Sequence, residues 1–319
     1  MTRPDIRKLI DRIPSSLGSH APVLQEIEEA LESPERSLGT VTDAIERDPD
    51  LTARLLRLGN SSFFGFSARV TTVTEAVSLI GIQQVRDLVL VSNVIDQFKG
   101  VAAEFVSIES FWQHSLACGI GARLIANKRR LPQADKFFVA GLLHDVGRLV
   151  LVAHAPELAQ QVFHVYRQER LLLTEAEERV LGFDHQRIGG ALLQLWKFPI
   201  SLVLAVACHH QPESSEVACT EAAVVHLADH LVNAMQIGSS GECHVPPLSL
   251  RAWRALGFST AVLPALINGI DEQYEAVQEI LLTRSGRANE KCVPGRDRPV
   301  EPPRANLRWT AAARLAGGC

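Results

Sequence analysis

The sequence predicts an all-α protein whose helices divide into two lobes. Three observations predict it. Apolar residues recur at helical spacing through most of the chain up to about residue 282. No stretch alternates apolar and polar residues as a half-buried strand does. Proline and glycine punctuate the helical runs, as at Pro49, Gly81, Pro132 and Pro199.

The elements follow in order. "APVLQEIEEALES" places Val23, Leu24, Ile27 and Leu31 on one helical stripe. "VTDAIERDPDLTARLLRLGNSSFFG" reads as a short helix, a break at Pro49 and a second helix capped by Asp48 or Asp50, with Leu51, Leu55 and Leu58 inward. Gly59 and Gly65 bracket "NSSFF" as a helix end and turn, with Phe63 and Phe64 packed inward and Asn60 and Ser61 bonding local backbone. "TVTEAVSLIGIQQVRDLVLVSNVIDQF" carries Val73, Ala76, Val77 and Ile80, then Gly81, then a helix with Val85, Leu88, Val89 and Val91. A boundary near residue 100, at "KGVAAE", closes a front lobe (1–100) and opens a rear lobe (101–284).

The rear lobe starts with a helix near Ser107 or Ser110. After Pro132, "QADKFFVAGLLHDVGRLVLVAH" reads as one helix, followed by "APELAQQVFHVYRQERLL". "TEAEERVLGFDHQRIGGALLQLWKF" reads as one run opened by a Thr174–Glu177 capping box and stopped by Pro199. "SLVLAVACHHQP" is a helix ending near Pro212, and "TEAAVVHLADHLVNAMQIG" one ending at Gly238. Two weaker helices, at about 249–256 and 259–282, complete the lobe. Residues 285–319 are rich in Arg, Pro, Gly and Ala and read as a disordered basic tail.

Composition narrows the function classes. The chain has 319 residues, 46% hydrophobic and 21% charged, ordinary values for one large or two modest globular domains. The tail holds seven Lys/Arg against three Asp/Glu, so of the net charge of −4 the tail contributes +4 and residues 1–284 contribute −8. An acidic body argues against nucleic acid as a partner. The second helix of "TEAVSLIGIQQVRDLVL" offers only Gln83, Gln84 and Arg86 as readers, too few for a recognition helix. The six cysteines form no C-x-x-C, so neither a disulfide framework nor a thiolate zinc site is expected; most read as small core residues. No apolar run approaches a membrane span and no signal-peptide core is present, so the expectation is a cytoplasmic protein with no membrane association.

Ionisable residues punctuate the rear helices in a fixed order: His114, His144-Asp145, His185, His209-His210 and Asp229. Each histidine alone has the plainer reading of a core or surface residue, and an isolated His-Asp dipeptide carries little. The ordered set carries the argument. Imidazole nitrogens and carboxylate oxygens converging from facing helices are how a bundle builds a divalent-metal site. On a helix, His209 and His210 point about 100° apart, so at most one of the two is expected to face the site. His226 and His230 flank Asp229 and are alternatives to an assumed ligand, whereas His20, His154, His164 and His244 have no partner pattern.

At these residues the chain resembles the HD superfamily, whose minimal metal set matches His114, His144, Asp145 and Asp229. His185, His209 and His210 match the fuller set of the HD-GYP branch, which hydrolyses cyclic di-GMP. The narrower resemblance is to the HDOD family of bacterial signalling proteins. It is carried by "ERDPDLTARLLRLGNSSFFG", "VTTVTEAVSLIGIQQVRDLVL", "FWQHSLACGIGARLIA", "FVAGLLHDVGRLVL", "LGFDHQRIGGALLQLWKFP" and "AVVHLADHL", and spans about residues 10–283. It implies a front helical bundle packed on an HD-like bundle, and a regulatory module acting through a signalling protein partner or a ligand, without catalysis.

Two departures set the chain apart from the hydrolases. "QPESSEVACTEAA" follows His209-His210 where the catalytic branch has a Gly-Tyr-Pro loop, and Arg148 stands where that branch usually carries Lys. The alternative reading is a metal-dependent phosphohydrolase of phosphodiesters or nucleotides, using Mn, Fe or Mg. In it His114, His144, Asp145 and Asp229 hold one ion, His185 with His209 or His210 a second, and Arg148 steadies the phosphate.

Overall fold

The structure is a computed structural model that describes residues 5–13, 21–32, 38–98, 101, 105–214 and 219–282. The predicted tail, with Cys292 and Cys319, lies outside the described residues, as does His20. The front of the chain forms α1 (Ile6–Ile10), α2 (Ala21–Glu32), α3 (Leu38–Glu46), α4 (Pro49–Gly59), α5 (Val73–Ile80) and α6 (Ile82–Gln97). The rear forms α7 (Ile108–Lys128), α8 (Ala134–Leu143), α9 (Val146–His154), α10 (Pro156–Glu169), α11 (Leu173–Leu181), α12 (His185–Leu195), α13 (Ile200–Ala207), α14 (Cys219–Met235), α15 (Leu250–Leu256) and α16 (Leu263–Leu282). No strand occurs among the described residues.

Local chemistry sets the front boundaries. The Asp48 carboxylate accepts from Leu51 N at 3.0 Å, and Pro49 opens α4 where its missing N–H costs nothing. Thr72 and Glu75 form a reciprocal capping box on α5. Between α4 and α5, Asn60 clamps the turn: its Nδ2 donates to Leu56 O and Val70 O, and its Oδ1 accepts from Val70 N. Fully buried Ile27, Ile45 and Val91 hold the lobe together, each contributing roughly 1.5–3 kcal/mol.

One apolar core runs through both lobes, from Leu9 to Leu281, and a second gathers between α7, α14, α15 and α16. Phe63 seals the lobe junction. Its ring meets Phe138 of α8 edge-on at 5.1 Å, the Arg123 guanidinium of α7 lies 4.1 Å over it, and Arg123 Nη1 donates to Phe63 O at 2.7 Å. Helix α1, first in the chain, lies against α9 and α12, and Arg12 donates to His154 O.

Several sequence expectations need correction, among them the single run over 174–198, which Gly182 splits into α11 and α12. Residues 134–154 are one helix in the sequence reading but two in the structure, because Asp145 leaves helical backbone (φ −99°, ψ 7°). That same stretch is, among the described residues, the one apolar and long enough to cross a membrane, and it lies mostly buried inside the protein. Counting uninterrupted apolar residues missed it because His144 and Asp145 interrupt the run. The Thr174–Glu177 capping box does not form: α11 starts two residues earlier, with Leu172 at the N-cap and its N donating to Glu175. Finally, α13 ends at Ala207, so His209 and His210 follow the helix instead of riding on it.

Candidate metal centre

Five pieces of chain deliver the predicted residues to one point. His114 sits in the first half of α7, and Asp229 in the second half of α14, which packs against it. The break between α8 and α9 turns His144 and Asp145 inward. Gly182, in left-handed backbone at φ +83°, ends α11 and lets α12 begin at His185 under an Asp184 cap. Gly147 permits α9 to touch that start: a Cβ there would lie 2.1 Å from His185 O. The turn after α13, being non-helical, supplies both His209 and His210 to one donor group, where helical spacing would allow one. His114, His144, Asp145, His185, His209 and Asp229 are all at most 2% exposed, and His210 sits half-buried at the edge.

The donor atoms form two groups of potential metal ligands: His114, Cys118, His144 and Asp229, and Asp145, His185, His209 and His210. In the first, Asp229 Oδ1 lies 3.1 Å from His114 Nε2 and 3.5 Å from His144 Nε2. In the second, Asp145 Oδ1 lies 2.9 Å from His185 Nε2 and 3.6 Å from His209 Nε2. Asp145 joins the two, since its Oδ2 is 3.2 Å from His144 Nε2.

Three of the imidazoles, His144, His185 and His209, are oriented as metal ligands are. Nδ1 donates to Gly141 O in His144, to Glu177 Oε2 in His185 and to Val206 O in His209, at 2.7, 2.6 and 2.7 Å. Each ring thus presents Nε2 to the interior, with an outer partner fixing its tautomer. Asp145 Oδ1 and His144 Nε2 are buried without any aligned hydrogen-bond partner, despite close neighbours. Unmatched lone pairs converging on one space fit a cation, so the residues present suit a divalent ion.

Electrostatics agree. The cluster buries three acidic side chains, Asp145, Glu177 and Asp229, beside one guanidinium, that of Arg148. Burial works against charging His144, but Asp145 and Asp229 outweigh it and push its pKa up to about 10. For His185, burial and Arg148 are outweighed by Glu177 and Asp145, giving about 9. Burial raises Asp145 and Asp229, yet the charges of Arg148, His144 and His185 hold Asp145, and hydrogen bonds from His114 and His144 hold Asp229, well below the usual carboxylate range. His209 and His210 are pushed down, chiefly by burial. The cluster therefore draws in positive charge, as protons or as an ion.

Arg148 is fully engaged inside the protein. It donates to Asp145 Oδ2 at 2.8 Å and to Ser240 Oγ at 2.5 Å, and approaches Glu177 at 3.4 Å. His226 is a structural bridge: its Nδ1 donates to His209 O and its Nε2 accepts from Ser249 N. Burial and His230 push its pKa down to about 3. His230 donates to His226 O and falls outside both donor groups. Of the four unassigned histidines, His154, His164 and His244 also lie outside these groups.

Sequence reasoning missed Cys118, Glu177, Asn233 and Ser240. Asn233 donates to Asp229 Oδ1 at 2.7 Å and orients it. Glu177 had a readable signal, since it sits at the middle of the Leu173–Glu177–Leu181 stripe where an apolar residue belongs. Cys118 had one too: it lies four residues after His114, on the same helix face.

Fold and cluster together define the class, a two-lobed helical bundle with an HD-type His/Asp centre. The chain belongs to the HDOD domain family, whose model matches residues 17–212. That match includes every predicted site residue except Asp229. A crystal structure of an HDOD domain protein of unknown function from Geobacter sulfurreducens is 26% identical, with a TM-score of 0.70, covering 87% of this chain and 97% of that one. A candidate phosphohydrolase from Shewanella amazonensis SB2B is 23% identical, with a TM-score of 0.68, covering 88% and 98%; it speaks for the fold alone. An uncharacterized protein of Treponema pallidum (strain Nichols) is 25% identical over 189 residues, which are 59% of this chain but only 36% of that protein.

Proposed function

We propose that this chain is a signal-transduction module whose rear lobe holds a closed divalent-metal centre and whose output is the binding of a signalling protein, without turnover. His114, His144, Asp145 and Asp229 would hold one ion; Asp145, His185 and His209 or His210 would hold a second. The observation that carries the reading is closure. A hydrolytic centre needs an open position for water and substrate. Here six predicted ligands are at most 2% exposed, and Arg148 is 4% exposed and already bonded to Asp145 and Ser240. The ion would cross-link α7, the α8–α9 break, α12 and α14, and balance the buried acidic charge.

The test is metal analysis of the full chain purified without chelator, paired with a phosphodiester and nucleotide hydrolysis assay in Mn²⁺. The expected result is bound metal with no turnover above that of His144→Ala. Turnover abolished by His144→Ala defeats the non-catalytic reading. It would favour a metal-dependent phosphohydrolase, a second reading supported by one feature: Asp145 bridges two donor groups, as a carboxylate does in two-metal hydrolases.

A further inference from the structure

We infer that Cys118 is an additional ligand of the ion held by His114, His144, Asp145 and Asp229, and that its sulfur tunes this centre to a thiophilic divalent ion (Zn²⁺, Fe²⁺ or Co²⁺) over Mg²⁺. The inference rests on the metal-centre reading above and adds to it a ligand and a class of ion.

A buried free cysteine is usually a small apolar filler. The surroundings of Cys118 differ from that. It stands one helical turn after His114 on α7, wholly buried, with Sγ 3.5 Å from His114 Nε2. Its Sγ and the facing atoms of His114, His144 and Asp229 all lie within 4.8 Å of one another. A second observation points to the same space: His144 Nε2, also fully buried, has no hydrogen-bond partner there.

The spacings suit one ion. Donors bound to one ion at ~2.0–2.3 Å lie roughly 3–4 Å apart. The observed separations are 3.5 Å for Cys118–His114, 3.5 Å for His144–Asp229 and 3.1 Å for His114–Asp229. On binding, the S–H bond breaks, a sulfur–metal bond forms and the proton passes to solvent. Thiolate is a soft ligand that favours Zn, Fe and Co, whereas Mg²⁺ prefers oxygen donors and retained water. A sulfur donor also fills coordination space that an exchangeable water would use, in keeping with a closed centre.

Cobalt reconstitution of the chelator-stripped full chain tests this spectroscopically. The expected result is a near-ultraviolet thiolate-to-cobalt charge-transfer band in the wild type. Cys118→Ser and Cys118→Ala lose that band but keep the visible cobalt absorption, with Co²⁺ affinity at least about tenfold weaker. Cys208→Ser, next to His209, keeps the band. Far-ultraviolet circular dichroism confirms that each variant folds, and Cys118→Ala preserves a small apolar side chain at the site. Visible cobalt absorption without a charge-transfer band, or a band that survives both Cys118 variants, overturns the assignment of Cys118 and leaves the metal centre standing. Failure of the wild type to take up Co²⁺ or Zn²⁺ overturns both.

Discussion

The two lobes bury different things. Among the described residues the front lobe buries four polar or charged side chains, Thr42, Arg54, Ser92 and Asn93, while the rear lobe buries fifteen, seven of them in the His/Asp cluster with Arg148. The front is held by apolar burial, which is non-directional and tolerant. The rear is apolar at its edges and ionic at its centre, where each charge is costly unless partnered. That teaches where to look for function. A stable bundle does not need such a centre, since well-packed hydrophobic residues of similar volume often stabilise as much.

The largest expected effect breaks the comparison at the rear centre. Asp145→Ala removes the carboxylate shared by His144, His185, His209 and Arg148, leaving His144, His185 and Arg148 with fewer buried counter-charges. It should cost about 3–5 kcal/mol in the ion-free protein, read by denaturant unfolding in chelator. In the front lobe, Leu55→Ala should cost about 2–5 kcal/mol by cavity formation. The two are separated by metal, not by size. Ion at a hundred times its Kd should add about 2.7 kcal/mol to the wild type and to Leu55→Ala, and markedly less to Asp145→Ala, which loses one donor from each group. Equal metal stabilisation of both variants would place the ion elsewhere.

The front lobe was the more legible. Its stripes, Leu51–Leu55–Leu58 and Val73–Ala76–Val77–Ile80, became its buried faces because a helix that packs on one side must repeat its apolar residues at helical spacing. In the rear, the ordered His/Asp set was readable residue by residue, and the structure gathers all seven members. What was not readable is where helices break to turn side chains inward. Asp145 and Gly182 each end a helix inside what looked like a continuous run. Glu177 was misassigned because a carboxylate three residues after a threonine fits a local cap as well as a distant salt bridge. Only the tertiary meeting of α11 with His185 decides between them.

Next in size is a difference in pH response. His144 and His185, at about 10 and about 9, carry protons at neutral pH in the ion-free protein. An ion bound by either ring displaces one proton, so its affinity should rise about tenfold per pH unit up to about pH 9. Ion-free stability runs the other way. The folded pKa values exceed the ordinary 6.5, so this contribution is complete below about 6.5 and is lost as pH rises through about 9 and about 10. Asp87 of α6 responds in another window. Burial, opposed by Arg86, pushes it up to about 6, so it costs stability as pH rises from 3.8 to about 6. Metal titrations and unfolding midpoints across pH 5–10 check both; pH-independent metal affinity would show that neither histidine is a ligand.

The smallest expected effect concerns two threonines that look alike in sequence. Thr72 caps α5, its hydroxyl accepting from Glu75 N at 3.1 Å while Glu75 bonds back to Thr72 N. Thr174 has the same spacing to Glu177, but it lies inside α11, and Glu177 instead accepts from His185 N. Thr72→Ala should therefore cost about 1 kcal/mol, since an N-terminal donor loses its partner. Thr174→Ala should change stability by less than about 0.5 kcal/mol, because alanine is the better helix former and no cap is lost. Equal losses on thermal or denaturant unfolding would mean that Thr174 is a cap after all. Glu177 would then be free of the role that ties α11 to the metal centre, and the polar rear core would be less tightly organised than its geometry implies.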